Sequence, residues 1–234
     1  DIAETLQSES TAHGDLLLLP SLVDRYDRLT AKLMEAFKWI ASLQRESFEF
    51  VLKVDDDSFV RLDALYDELV ERDRSYPDAQ RYLYWGYFDG RAHVKRIGKW
   101  SEPDWFLCDR YLPYALGGGY VISRRLLYHL TTTSDLLQHY RSEDVSLGVW
   151  LAPLRINRVH DTRFDTEYQS RGCIDSYLIQ HKQSPLEMRS KHASLASEER
   201  LCARGEFEQR LAYEYDWRAL PSRCCVRNVS MTSR

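Results

Sequence analysis

The stretch FEFVLKVDDDSF, residues 48–59, ends a strand-like run on three consecutive aspartates, Asp55, Asp56 and Asp57. Carboxylates this close repel one another, and closing a buried strand on them is unfavourable unless a cation sits there. Mg2+ and Mn2+ are hard cations that take oxygen ligands and commonly bridge to substrate phosphates. One aspartate here would read as a helix cap or a turn; three in a row read as a metal corner. Lys53, just upstream, reads as the solvated face of an edge strand rather than as a counter-charge. Other acidic motifs fit less well. An EF-hand loop opening at Asp55 wants Gly at its sixth position and Glu at its twelfth, where Val60 and Tyr66 stand. An aspartyl-phosphate phosphatase wants a small β-branched residue where Phe59 stands. No G-x-x-x-x-G-K-[ST] loop is present.

A second acidic pair, Glu143-Asp144, opens EDVSLGVWL. By itself it marks a helix start, because acids suit the positive end of a helix. Downstream of GGGYV it also becomes a candidate base, able to take the proton from an attacking hydroxyl.

The elements that must position these residues read as follows. Leu16 to Leu19 is a short buried strand candidate ended by Pro20. Leu29, Leu33, Phe37 and Ile40 recur at helical spacing within residues 24–43. Phe48, Phe50, Leu52 and Val54 alternate as a strand, with Val51 filling its other face. Leu62, Leu65 and Leu69 predict a helix after the aspartates. YLYWGYF, residues 82–88, is a further strand; residues 91–106 read as a loop or hairpin. In YALGGGYVIS, residues 114–123, three glycines precede a short apolar strand, and Ser123 is placed to cap the next helix. Ser184-Pro185-Leu186-Glu187 is a capping box with proline at the first helical position. In any open α/β sheet the ligand lies beyond the carboxyl ends of the strands, where Asp55 to Asp57 stand. The alternation of strand and helix predicts an α/β fold with a mostly parallel central sheet flanked by helices, in one domain over residues 1–234.

The chain is 44% hydrophobic, enough for a core, and its net charge is only -4, which argues against a nucleic-acid partner and against a polybasic membrane binder. Six Trp and fifteen Tyr suit carbohydrate binding but more often build cores. No apolar run spans a bilayer and no signal peptide opens the chain, so a membrane anchor is expected only upstream of a trimmed start. Cys108, Cys173, Cys202, Cys224 and Cys225 lack the C-x-x-C spacing of a zinc site and are read as disulfides with one thiol left over. With the sequon at Asn228 they favour a secretory compartment.

Four ordered motifs, VDDDSF, YLPYALGGGYVIS, SEDVSLGVWL and YLIQHKQS, resemble the β-1,3-glycosyltransferase family (glycosyltransferase family 31), which includes β-1,3-galactosyltransferases and Fringe. DLLLLP, FEFVLKVDDDSF, WLAP, RFDTEYQSRGC and YEYDW carry a closer likeness to the members that build the proteoglycan linkage region. The resemblance covers nearly the whole chain. It implies a GT-A (Rossmann-like) fold, Mn2+, and inverting transfer of galactose from UDP-galactose to the 3-hydroxyl of galactose on a galactosyl-xylosyl acceptor. It implies Asp57 and His181 as metal ligands, and Asp55 and Asp56 as part of the D-x-D motif against the donor. It further implies Asp144 as catalytic base, with Glu143 beside it. Trp85, Gly86 and Gly117 to Gly119 (Gly118 and Gly119 above all) would border donor and acceptor sugars, with Tyr114 and Tyr120 packing nearby. In the family an earlier strand and helix precede the point where this chain begins, so the sheet is expected to lack its first strand and helix. Full-length members are anchored in the Golgi membrane with the catalytic domain in the lumen. A Fringe-like or β-1,3-N-acetylglucosaminyltransferase, or a non-catalytic carbohydrate-binding fragment, is the alternative reading.

Overall fold

The computed structural model describes residues 2–43 and 48–227. The Asn228 sequon lies outside the described residues. The helices are α1 (Ile2–His13), α2 (Leu29–Ser42), α3 (Leu62–Ser75), α4 (Pro77–Gln80), α5 (Arg124–Thr132), α6 (Glu143–Leu151) and α7 (Pro185–Glu198). The strands are β1 (Phe50–Val54), β2 (Phe59–Val60), β3 (Leu83–Asp89), β4 (Tyr114–Ser123), β5 (Asn157–His160), β6 (Phe164–Asp165), β7 (Gly172–Cys173), β8 (Ile179–Gln180) and β9 (Phe207–Glu208).

The central sheet has the order β1-β4-β3-β5. β4 lies antiparallel to both β1 and β3, and only β3 and β5 pair in parallel. The expectation of a mostly parallel sheet therefore holds for strand direction, since β1, β3 and β5 point one way, but not for pairing. The cause is the connection before β4. Parallel neighbours need a crossover, usually helical, and residues 90–113 between β3 and β4 contain no helix. β4 is free to enter the sheet reversed, between β1 and β3.

β3 is buried on both faces over its first six residues, which explains its unbroken apolar and aromatic run. Leu33, Met34 and Phe37 of α2 and Leu126, Leu127 and Leu130 of α5 join it in one core, which extends to Cys224 and Cys225 in the tail. α2 packs against both α5 and α6, and α6 packs on β4. A second small sheet, β2-β8-β6, leans on the first through β6.

Two local expectations change. Leu16 to Leu19 forms no strand, and Leu17 and Leu18 are exposed; an apolar run sets hydrophobicity, while a strand also needs a ladder partner. The glycines 117–119 do not precede a strand but lie inside the ten-residue β4. Ser123 caps nothing: its hydroxyl donates to the Arg81 carbonyl at 2.9 Å. The capping box before α7 forms both of its bonds. Disulfides join Cys173 to Cys202 and Cys224 to Cys225, and Cys108 is free and exposed. Among the described residues no helix is long and apolar enough to cross a membrane.

Candidate active site

β1 ends at Val54 and the chain turns through Asp55, Asp56 and Asp57, with Ser58 N–H donating to the Asp55 carbonyl at 3.1 Å. β2 then pairs antiparallel with β8, which carries the chain to His181. A backbone bond from Gln183 N–H to the Asp57 carbonyl, 2.8 Å, ties the two segments together. The result is a cluster of Asp55, Asp57 and His181 whose ligand atoms all lie within 4.8 Å of one another. His181 Nε2 is 2.8 Å from Asp57 Oδ1 and 3.4 Å from Asp55 Oδ2. Asp56 is exposed and lies outside this cluster. Two carboxylates and an imidazole on a corner that opens to solvent fit Mn2+ or Mg2+, with coordination positions left for a phosphate or water.

The glycines of β4 make the floor. A Cβ on Gly118 would collide with the His181 ring, and one on Gly119 would sit 2.8 Å from Ile179 Cδ1. Only glycine lets β8 and the imidazole approach the sheet this closely. Gly86 plays a similar part on β3, where a Cβ would meet that of Ala115 at 2.9 Å. Trp85 is fully buried, and its indole N–H donates to Asp161 Oδ2 at 3.0 Å. Tyr114 and Tyr120 are buried as well.

Lys53 joins this corner to the second acidic pair. Its ammonium is 2.6 Å from Asp55 Oδ1, 2.6 Å from Glu143 Oε1, and donates to the Gly117 carbonyl at 2.6 Å. It is therefore the counter-charge and not a solvated edge residue. Residues i and i+2 of an extended chain share a face, so Lys53 and Asp55 carried this signal. Burial would lower the Lys53 pKa, but the charges of Glu143 and Asp55 hold it well up. Burial would likewise raise Asp55, yet the hydrogen bond with His181 and the charge of Lys53 bring it to about 2. Lys182, whose backbone is left-handed (φ 63°), places its ammonium 3.2 Å from Asp57 Oδ2.

Asp144 sits in the first turn of α6. Its Oδ2 accepts from Gly117 N–H at 2.9 Å and its Oδ1 from Val145 N–H at 2.8 Å. Burial, and then the charge of Glu143, push the Asp144 carboxyl well above the usual carboxylate range. Readiness as an ionised base is thus set by environment, not assured by the residue type. The start of α6 has no side-chain cap of its own. Instead the buried Glu102 accepts from Arg141 N–H at 2.8 Å and Ser142 N–H at 2.7 Å. Nothing local in the sequence pointed to Glu102, some forty residues upstream. A separate cavity of about 210 Å3, lined by Glu49, Arg81, Ser123 and Arg124, lies at the other end of β1 and β4 and is no part of this site.

A family model described as Galactosyltransferase matches residues 1–162. That span holds the triple aspartate and Glu143-Asp144, and ends before His181. Beta-1,3-galactosyltransferase 6 of Mus musculus is 54% identical over 222 residues, 95% of this chain and 66% of that protein. UDP-GalNAc:beta-1,3-N-acetylgalactosaminyltransferase 2 of Danio rerio is 33% identical over 186 residues, 80% of this chain and 36% of that protein. Beta-1,3-galactosyltransferase GALT1 of Arabidopsis thaliana is 31% identical over 190 residues, 78% of this chain and 28% of that protein. The chain thus spans between about a quarter and just under two thirds of the length of these curated relatives.

Proposed function

The chain belongs to the galactosyltransferase family, and from that premise we propose that it is a metal-dependent, inverting β-1,3-galactosyltransferase. Its donor is UDP-galactose and its acceptor is the 3-hydroxyl of galactose on a galactosyl-xylosyl stub, as the likeness to beta-1,3-galactosyltransferase 6 suggests. The observation that carries the reading is the bridge made by Lys53. It links a metal-fitting corner, Asp55, Asp57 and His181, to the Glu143-Asp144 pair.

When bound, Mn2+ would supply Lewis-acid stabilisation of the departing diphosphate. Asp57 and His181 are its proposed ligands, with Asp55 beside them facing the donor. Asp144, held by the N–H groups of Gly117 and Val145, accepts the proton of the acceptor hydroxyl. That oxygen bonds to the anomeric carbon as the bond from this carbon to the UDP oxygen breaks. Attack from the opposite face converts an α-linked donor into a β linkage. Glu143 stays paired with Lys53 and accepts from the Asp144 backbone N–H. In the cell the site faces the Golgi lumen.

The test is a screen of UDP-galactose, UDP-GalNAc and UDP-GlcNAc against a galactosyl-xyloside with Mn2+ present. Transfer from UDP-galactose alone, giving a β-1,3 product, is the expected result. Preference for a hexosamine donor would replace the donor assignment and keep the site.

A further inference from the structure

Three segments distant in sequence converge beside Asp144. The 3-10 turn at residues 26–28 leads into α2. One helical turn on, Thr30 Oγ1 lies 3.1 Å from Ser146 Oγ and bonds the Arg141 carbonyl at 3.4 Å. The loop bearing Lys99 and Trp100 is pinned to the same place. Arg141 Nη1 donates to Ser101 Oγ at 3.2 Å, and Glu102 holds the N–H groups of residues 141 and 142. Tyr26 and Trp100 are thus carried to the start of α6.

The two aromatic residues are organised there. Lys99 Nζ lies 4.5 Å from the centre of the Tyr26 ring. Yet Tyr26 is 39% and Trp100 50% exposed. Rings carried on segments that hydrogen bonds pin at Thr30, Ser101 and Glu102, but not covered by the core, offer flat apolar faces with polar rims. The Tyr26 hydroxyl also lies in the field of the site's acids. Burial first, then the charge of Asp144, raise it to about 12, with Glu143 and Asp55 adding less. The phenol therefore keeps its proton at neutral pH and can donate it in a hydrogen bond. The contacts of Thr30 with Ser146 and of Arg141 with Ser101 put the pair at the start of α6, the helix that carries the base.

We infer that Tyr26 and Trp100 form the wall of the acceptor subsite, on which the apolar face of a hexopyranose rests while its reactive hydroxyl meets Asp144. This rests on the transfer reading given above. A pyranose presents C–H groups on one face and hydroxyls at its edge. The π face of the indole suits the first, and the Tyr26 hydroxyl and Lys99 ammonium suit the second. The donor's diphosphate belongs with the Asp55–Asp57–His181 corner, which leaves this wall for the second sugar.

The experiment measures KM for galactosyl-xyloside and for UDP-galactose in the wild-type chain, Trp100→Ala, Trp100→Phe and Tyr26→Leu. Saturation-transfer NMR of the galactosyl-xyloside is run on the same proteins, with thermal melts to confirm folding. Trp100→Ala and Tyr26→Leu are expected to raise the acceptor KM about tenfold and weaken the NMR signal, with the donor KM within about twofold. Trp100→Phe should restore most of the loss, because a flat ring remains. An acceptor KM that stays within twofold in both truncations, or a donor KM that rises equally, overturns the inference. If the wild-type chain transfers nothing from UDP-galactose yet binds the galactosyl-xyloside in a Trp100-dependent way, the transfer reading falls and the wall stands.

Discussion

Asp165 and Glu167 are both buried, and they face three arginines, Arg171, Arg210 and Arg227. At the other cluster, Asp55, Asp57 and Glu143 pair with two lysines, Lys53 and Lys182, and Asp144 lies beside Glu143. In the first cluster Arg171 is sandwiched by Tyr87 and Tyr177 and donates to Asp165 and to two backbone carbonyls. Arg210 and Arg227 reach Glu167 from the tail and fasten it to the body. There the chain itself supplies a cation for every acid. In the second cluster the acids outnumber the protein's cations, and a buried imidazole points a nitrogen at two carboxylates. Acids matched by the chain's own cations hold structure together; the excess of acids at the second cluster is what the proposed cation would offset.

If that contrast is right, the two clusters break differently. Asp144→Asn should lower transfer about a thousandfold or more, since the base is lost, while UDP affinity with Mn2+ stays within about twofold. Steady-state rates beside calorimetry read both, and activity within a few-fold of wild type would remove Asp144 from its role. Arg171→Met should instead cost about 3–5 kcal/mol of stability, because it leaves the buried Asp165 without its partner. Urea denaturation measures this, and a loss under 1 kcal/mol would mean the tail cluster is not structural. Asp57→Ala should weaken Mn2+-dependent UDP binding about tenfold or more, with little change in melting temperature; unchanged calorimetric affinity would count against the metal corner.

The smallest effect concerns pH. Asp144 must be ionised to accept a proton, and burial with the charge of Glu143 raises its pKa. Acceptor kcat/KM should therefore rise with pH, with a midpoint above the usual aspartate value of about 3.9. Glu143→Gln removes the like charge and should move that limb to lower pH. Lys53→Met removes the charge that favours ionisation and should move it higher. Shifts in the same direction for both variants would contradict the electrostatic account.

Much of this was legible in residue type and order. Three aspartates after an apolar strand announce a cation, because no folded chain leaves such repulsion uncompensated without reason. α2, α3 and α6 follow from apolar spacing and from acids at a helix start, and α7 from its capping box. The same kind of reading failed at Leu16 to Leu19 and at the reversed β4, because strand pairing is decided by partners that spacing along one segment does not name. It failed at Lys53 for a related reason: whether a lysine on a strand meets water or acids depends on what packs across from it. Glu102, Tyr26 and Trp100 had no local signal at all, since their roles arise only where three loops meet.

The order of residues by itself determined which side chains were available for chemistry, because ionisation, ligand hardness and helix-terminal preference belong to residue type and short spacing. Only the tertiary structure decided that His181 stands against Asp57, that Lys53 bridges the two acidic groups, and that Asp144 is half-buried against Gly117 beside the buried Glu143. The first two depend on approaches between residues ninety or more positions apart, set by sheet register and by glycines that let segments approach. Composition carries no information about them, and strand periodicity reaches only the local contact of Lys53 with Asp55.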